Sequence, residues 1–407
     1  MTNHINHLKH KIHQLEQHTQ LDHNESVRSK ITTLENELTQ IHKKRYKNTY
    51  ARAQTQWQIK GEMISKYWTT VVTPRCPHDP IYALHNPQTN NLTTRTSDMA
   101  EIAGHYHDKL QHLDLPIYND PNCQTARLQV LHEIPPTQVL NDNNSLLNQP
   151  LTEELVTCAL LDSKNGTATG LDGIPYELWK TLHNLHVSYT KTNKPSFNIT
   201  RCFQIIYNEI QLTSSDPSAH FSEGWMYPLY KKKDQTRIEN YCLITLLNTD
   251  YKTMTKALAT QLAQHACDLL HPDQTGFVPS RSIFDPIRLV ETMCAYADYT
   301  EENGTIVALD QEKVYNKIDH KYLLDTLHAF HLPNIFIHTI ESLYNHATTT
   351  IIINGVMSQS YTITRGVCQG DPLSCLLFNL AIEPLAASIR NSPDIQGFQI
   401  PGAPSNI

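Results

Sequence analysis

Residues 307–320 read VALDQEKVYNKIDH, a short apolar run that leads directly into an acidic residue and then into a charged, helix-like segment. The run from Thr305 to Leu309 is β-branched and apolar, which predicts a buried strand with Asp310 at its carboxyl end. A carboxylate that leaves a sheet in this way stays partly desolvated and can bind a divalent cation. The alternative interpretation of Asp310 is a helix cap that binds no metal.

The pattern around this stretch predicts an α+β fold. From about residue 150 to 400, helical periodicity alternates with short β-branched runs, and Thr152 before Glu153 and Glu154 is typical of a helix start. Residues 1–72 have apolar residues at 3–4 spacing on both sides of a turn, which predicts a helical hairpin or short coiled coil and self-association through it. Residues 73–150 are rich in Pro, Asn and Thr, which predicts a loop-rich linker with one short helix at 98–112.

The composition limits the class of protein. The chain has 407 residues, enough for two or three domains with their own cores. It has 33 basic against 40 acidic residues and a net charge of −7, which disfavours strong binding to nucleic acid. Cysteines occur singly, which indicates reduced thiols in the cytoplasm or nucleus rather than zinc ligands. No apolar run is long enough for a membrane span, and the N-terminus is not typical of a signal peptide, so no membrane partner is expected.

Five stretches have residue types that fit nucleotidyl transfer. They are TGLDGIPYELWK (169–180), YPLYKKKDQTRIENYCLITLLN (227–248), DQTGFVPSRSIFDPI (273–287), VALDQEKVYNKIDH (307–320) and RGVCQGDPLSCLLFNLAIEPLA (365–386). Each stretch alone has an ordinary explanation: a turn, a solvated basic loop, or a helix start with Asp371 as its cap. Together they provide the groups that the reaction needs.

Nucleotidyl transfer requires carboxylates that hold two Mg²⁺ ions, and Asp310 is the candidate ligand. Tyr315 lies five residues further on, where an aromatic ring can pack against a sugar. Gln369 and Gly370 precede a long apolar helix, and the glycine lets another group approach the backbone closely. This arrangement is suited to a surface on which a base pair lies. The run Lys231, Lys232 and Lys233 is a basic loop that can face a triphosphate.

In this order and spacing, the five stretches resemble the reverse transcriptase of LINE-type (non-LTR) retrotransposons, with the fungal branch nearest. The segment WQIKGEMISKYW (57–68) resembles the region that precedes this domain in the same elements. The resemblance implies an RNA-directed DNA polymerase that binds an RNA template and a DNA primer. It further implies a right-hand polymerase architecture, with fingers and the start of the palm at 151–300 and a partial palm at 301–407.

The resemblance also implies residue roles. Asp310 is implied as the first metal-binding aspartate, and Tyr315 as the aromatic gate that excludes a 2′-hydroxyl. Gln369 and Gly370 are implied to contact the templating pair and the incoming nucleotide, and Lys231 to Lys233 to face its phosphates. Arg281 and Arg365 fall within matching motifs without an assigned role.

The chain departs from the family pattern at several positions. No Tyr/Phe-Ala-Asp-Asp sequence occurs in the 407 residues, so a copy truncated before this motif, with an incomplete two-metal site, is expected. Cys242 and Cys368 stand where relatives have arginine, and cysteine cannot replace a bidentate cation. These departures favour a catalytically inactive copy. Two alternatives stay open: an active fragment of a longer polyprotein, and a coiled-coil interaction protein with a passive polymerase-like remnant.

Overall fold

The computed structural model describes residues 80–113, 120–141, 145–301, 303–311, 313–345, 347–395 and 397, together with scattered positions between 8 and 41. The chain divides into two compact units, 1–78 and 79–407. The scattered positions of the first unit are helical. The predicted hairpin over 1–72 otherwise lies outside the described residues, as do residues 57–68. The fold below is that of the second unit.

The second unit contains both helices and strands, so the α+β prediction is confirmed. Its helices are α1 (Thr96–His112), α2 (Pro121–His132), α3 (Glu153–Leu161), α4 (Tyr176–Lys191), α5 (Ile199–Thr213), α6 (Thr249–Ala263), α7 (Ala266–Leu269), α8 (Phe284–Thr300), α9 (His320–Ala329), α10 (Asn334–Tyr344) and α11 (Ser374–Asn391). Its strands are β1 (Leu84–His85), β2 (Leu92–Thr93), β3 (Gly224–Tyr230), β4 (Tyr241–Leu247), β5 (Thr348–Ile353), β6 (Val356–Met357) and β7 (Tyr361–Thr362). No described helix is long and apolar enough to cross a membrane.

The main sheet is built around an antiparallel hairpin. Strands β3 and β4 pair from Gly224↔Leu247 to Tyr230↔Tyr241. Strand β5 adds to β3 in parallel, and the short strands β6 and β7 pair antiparallel with β5. Buried and half-buried residues alternate along the whole of β4, as expected for a strand with one face on a core. Strands β1 and β2 form a separate two-stranded pair.

Two hydrophobic clusters lie in this unit. The larger combines α3, α5 and α6 with α9, α10 and α11, and the smaller lies between α1 and the strands β3, β4, β5 and β7. Ile363 belongs to the smaller cluster and Val367 to the larger, so the segment between them connects the two cores. This segment leads directly into Gln369 and Gly370.

Several local predictions are confirmed. Helix α3 begins after Thr152, whose hydroxyl accepts a hydrogen bond from the backbone N–H of Leu155, with Glu153 and Glu154 in the first turn. Helix α1 covers the predicted 98–112 segment. The prediction that the chain beyond this helix is irregular was wrong for Pro121–His132. There Asp120 caps α2 by accepting from Asn122 N–H, and Pro121 takes the first helical position.

The predicted strand from Thr305 to Leu309 was wrong. Residues 303–311 form no sheet pairing with any described residue, and the side chains of Ile306, Val307 and Leu309 are 65%, 72% and 80% exposed. The preceding helix α8 has no buried residue along its length. A β-branched run becomes a buried strand only where another strand satisfies its N–H and C=O groups, and a sequence pattern does not say whether that partner is present. We call α8 and residues 303–311 the exposed arm.

Candidate functional site

Residues 364–371 form the centre of the site, and we call them the hub segment. Its backbone is held by two of the sequence stretches singled out above. Val367 N–H donates to the carbonyl of Tyr315 at 2.7 Å, and Gly366 N–H donates to that of Ile318 at 2.6 Å. On its other side, Thr245 N–H of β4 donates to the carbonyl of Gln369 at 2.9 Å. The structure thus brings Tyr315 and Gln369 together on adjoining backbone segments beside β4.

Two glycines make this close approach of backbones possible. Gly370 has φ +125°, and a Cβ at this position would lie 2.5 Å from the carbonyl oxygen of Thr245. Gly366 has φ +97°, and its Cβ would lie 2.9 Å from the carbonyl oxygen of Tyr315. Both positions therefore exclude a side chain, through the backbone conformation and through the neighbouring main chain. The predicted close-approach backbone at Gly370 is confirmed, whereas its contact with a nucleotide stays a prediction.

Tyr315 packs on the first two turns of α11. Its ring stacks on Phe378 with centroids 4.8 Å apart and planes 21° apart. Its hydroxyl donates to the sulfur of Cys375 at 3.8 Å. Partial burial raises the pKa of the Tyr315 phenol, which is therefore neutral at physiological pH. The ring is half-buried, so it is packed on one side and leaves part of its surface open.

The first stretch is fastened to the carboxyl end of β4. Asp172 N–H donates to the side-chain oxygen of Asn248 at 3.3 Å. A Cβ on Gly170 would overlap the same oxygen at 2.0 Å. The first stretch, for which a turn was one interpretation, is thus held at Asp172 against the residue that follows β4.

The third stretch reaches α11 through Asn379, whose side-chain amide donates to the carbonyl of Gly276 at 2.6 Å. Within this stretch, the guanidinium of Arg281 donates to four backbone carbonyls, those of Cys267, Leu270, His271 and Gln274. Arg281 thus connects this stretch to α7 and to the residues that follow it.

Two of the predicted site groups lie apart from the hub segment. Lys231, Lys232 and Lys233 are exposed at the tip of the β3–β4 hairpin, where Lys231 N–H donates to the carbonyl of Asn240. Thr245, which contacts Gln369, lies five residues after Asn240. At the usual rise of a strand, about 17 Å therefore separates Thr245 from the hairpin tip. Asp310 lies on the exposed arm and has no hydrogen-bond or ion-pair partner among the described residues.

The described residues do not form a ligand set for two metal ions. No group of three or more His, Cys, Asp or Glu side chains in the described part of the chain is placed to hold a metal. Asp310 is exposed rather than at the end of a buried strand. The two-metal site implied by the resemblance therefore stays a prediction.

Sequence reasoning interpreted Asp371 only as a helix cap, but the structure shows a buried acid that precedes the helix. Its carboxylate accepts from Leu373 N–H at 3.3 Å and from the Ser374 hydroxyl at 3.4 Å. Because α11 begins at Ser374 with Leu373 as its N-cap residue, the predicted helix start at Asp371 was two residues too early. Burial raises the pKa of Asp371 to about 6, partly offset by hydrogen bonds from Thr255, Leu373 and Ser374 and by the charge of Lys252. Burial also raises the pKa of the neighbouring Cys368 thiol to about 12, so this cysteine is not a reactive thiolate.

Helix α1 supplies a contact that no sequence signal indicated. The side-chain oxygen of Gln111 accepts from the backbone N–H groups of Thr364 and Arg365, each at 3.0 Å. The Thr364 hydroxyl donates to the backbone carbonyl of Gln111 at 3.2 Å. The helix thus fastens the start of the hub segment from a position about 250 residues earlier in the chain.

Residues 230–400 match the family of reverse transcriptases (RNA-dependent DNA polymerases). This part of the chain is a reverse transcriptase domain, homologous to those of non-LTR retrotransposon Pol proteins. The resemblance inferred from the five stretches is confirmed at this level. Reverse transcriptases in general use divalent metal ions and bind a template and a primer.

Three relatives illustrate the match. The Transposon TX1 uncharacterized 149 kDa protein of Xenopus laevis is 32% identical over 244 residues, 60% of this chain and 18% of the relative. The Pol polyprotein of the retrotransposable element R2DM of Drosophila melanogaster is 30% identical over 135 residues, 33% of this chain and 12% of the relative. That of element R2 of Nasonia vitripennis is 24% identical over 235 residues, 57% of this chain and 20% of the relative. The chain thus matches 20% or less of the length of each.

Proposed function

We propose that the chain provides the fingers and the first part of the palm of an RNA-directed DNA polymerase from a non-LTR retroelement, of a fungal-like type. One observation carries the proposal. The stretches that resemble this family in sequence, far apart in the chain, are linked in the fold through residues 365–386 and the adjoining strand β4. An RNA template and a DNA primer are its proposed partners.

The proposed residue roles follow the same arrangement. Gln369 and Gly370 contact the templating pair and the incoming nucleotide, and Tyr315, whose carbonyl accepts from Val367 N–H, lies beside the sugar. Lys231, Lys232 and Lys233 bind the triphosphate from the tip of the β3–β4 hairpin. The lysines and Gln369 lie about 17 Å apart along β4, so in this arrangement they face opposite ends of one extended nucleotide.

We further propose that residues 1–407 by themselves do not catalyse DNA synthesis. Asp310, the proposed ligand of Mg²⁺, lies on an exposed segment whose backbone pairs with no described strand. A divalent ion held by one exposed carboxylate is not positioned for in-line transfer. Cys242 and Cys368 also support the proposed lack of activity, because neither can donate the two parallel hydrogen bonds that an arginine gives a phosphate.

Primer extension tests the proposal. The purified chain is given a poly(rA)–oligo(dT) hybrid, dTTP and Mg²⁺, with Asp310→Ala as the matched control. The proposal predicts binding of the hybrid without incorporation, from a chain that circular dichroism shows to be folded. Incorporation that disappears in Asp310→Ala would contradict the inactive state and support an active polymerase. Failure to bind the hybrid at low salt would contradict the polymerase assignment itself.

A further inference from the structure

A small cavity with both polar and apolar lining residues lies beside the hub segment, between α1, β4 and residues 363–369. It has a volume of about 20 Å³, and His107, Thr245, Asn316, Arg365 and Gln369 contribute to its lining. This volume holds about one water-sized group, so it can take a single oxygen atom but not a whole nucleotide. No Asp or Glu is among the described residues that line it.

Arg365 is buried without a counter-charge. The residue is 8% exposed, and its Nε has no hydrogen-bond partner. No acidic side chain forms an ion pair with it in the described part of the chain. Its backbone, in contrast, is fixed. The Arg365 N–H donates to the side-chain oxygen of Gln111, and the backbone forms an isolated antiparallel β-bridge with Asp319. A guanidinium stays charged at any physiological pH, and an unpaired buried charge is strongly destabilising. Asp319 lies opposite Arg365, but its carboxylate accepts from Tyr322 N–H, and the described residues give the guanidinium no ion pair.

His107 gives the cavity a second unpaired group. It is 3% exposed, and its Nε2 has no hydrogen-bond partner. Burial, with a smaller contribution from the charge of Lys313, lowers the pKa of the imidazole to about 3. The ring is therefore neutral at physiological pH, and in one of its two tautomers Nε2 donates a hydrogen bond. His107 and Arg365 thus place a neutral imidazole and a cation in the lining of the same cavity.

We propose that Arg365 and His107 bind one anionic oxygen of a phosphate group at this cavity, beside Gln369. The small volume admits one phosphate oxygen while the rest of the group stays outside. Inorganic phosphate, a nucleoside triphosphate and a nucleic-acid backbone all offer such an oxygen. The last two sources rest on the proposed function, because they are the molecules it brings to Gln369.

Thermal unfolding of the full chain tests the proposal. The midpoint is measured at constant ionic strength with no addition, with inorganic phosphate, with dTTP, and with an oligo(rA)–oligo(dT) hybrid. Ligand at a hundred times its Kd is expected to raise the midpoint by about 4 °C in a unit of this size. In Arg365→Met this rise disappears, while the ligand-free midpoint stays equal or increases because an unpaired buried charge is gone. Arg288→Met, which removes an exposed arginine from α8, keeps the wild-type rise.

A second variant covers the case in which Arg365→Met does not fold. His107→Leu removes a neutral, unpaired ring, and we expect about tenfold weaker binding of the same ligand, from the loss of one hydrogen bond to a charged group. The separate ligand measurements also distinguish the failure of this proposal from the failure of the proposed function. A rise in the midpoint with inorganic phosphate that Arg365→Met lacks supports the phosphate site, whatever the hybrid does. The absence of a rise with the hybrid would count against the proposed function. Equal rises in wild type and Arg365→Met, or no rise with any of the three ligands, would overturn the site.

Discussion

The hub segment and the exposed arm differ sharply, although the same sequence resemblance marks both as parts of one site. The hub segment is fastened to α1, to β4 and to the turn after Tyr315 by backbone hydrogen bonds, and two of its glycines allow no side chain. The arm carries Asp310, yet it has no sheet partner among the described residues, and α8 has no buried residue. A motif is therefore evidence of ancestry in both regions, but of an assembled structure only where the partners of its backbone are also present.

The largest effect is expected at Gly370, where backbone conformation and packing both exclude a side chain. Gly370→Ala places a methyl group 2.5 Å from the Thr245 carbonyl, at φ +125°. We expect a loss of about 4 kcal/mol in the free energy of unfolding, from strain and overlap together. Chemical denaturation measures it. Gly355→Ala is the control, because φ is also positive there but no atom lies within 4 Å, and about 1 kcal/mol is expected. Equal losses would contradict the close approach.

Leucine truncation compares the packing of the two regions. Leu377 on α11 is fully buried below the hub segment, whereas Leu309 is 80% exposed on the arm. Leu377→Ala is expected to lower the free energy of unfolding by about 3 kcal/mol, through lost burial and a cavity. Leu309→Ala is expected to change it by less than about 0.5 kcal/mol. A loss above 2 kcal/mol on the arm, in the same denaturation experiment, would show that the arm is packed.

The pH dependence of stability tests the buried acid of the hub segment. The pKa of Asp371 is raised from 3.8 to about 6. Between these values the folded state binds the proton and the unfolded state releases it, so this contribution to stability decreases as the pH rises from about 4 to 6. Asp371→Asn lacks the effect. We expect its stability relative to wild type to increase by on the order of 2 kcal/mol from pH 4 to pH 7.

The control for this titration is Asp285→Asn, which removes an exposed carboxylate from the arm. The change in stability relative to wild type from pH 4 to pH 7 is expected to be larger for Asp371→Asn than for Asp285→Asn. Equal changes in the two variants would contradict the burial of the Asp371 carboxyl.

The smallest effect is expected where α1 holds the hub segment. Gln111→Ala leaves two backbone N–H groups, those of Thr364 and Arg365, without their acceptor. We expect a loss of about 1–2 kcal/mol in the free energy of unfolding. His105→Ala, an exposed position on the same helix, is expected to stay within about 0.5 kcal/mol. Equal effects of the two substitutions would show that α1 does not fasten the hub segment through this side chain.

Local sequence signals predicted what depends on neighbouring residues. The start of α3 at Thr152, the helix over 98–112 and the close backbone at Gly370 follow from capping, periodicity and glycine geometry. The strand before Asp310 was predicted wrongly because its stability depends on a partner strand. The contact between Gln111 and Arg365 could not be foreseen, since a glutamine on a helix is no signal for residues about 250 positions away. The unpaired state of the Arg365 side chain is likewise a property of packing.

Hydrogen–deuterium exchange, resolved to single amides, tests most directly the difference between the hub segment and the arm. The account predicts strong protection of the Thr245, Gly366 and Val367 amides, because each donates to a backbone carbonyl within the fold. It predicts exchange of residues 305–309 at nearly the rate of an unprotected chain. Protection of 305–309 comparable with that of Val367 would show a paired strand before Asp310. That result would contradict the exposed arm, and with it the argument that these residues leave the metal site unassembled.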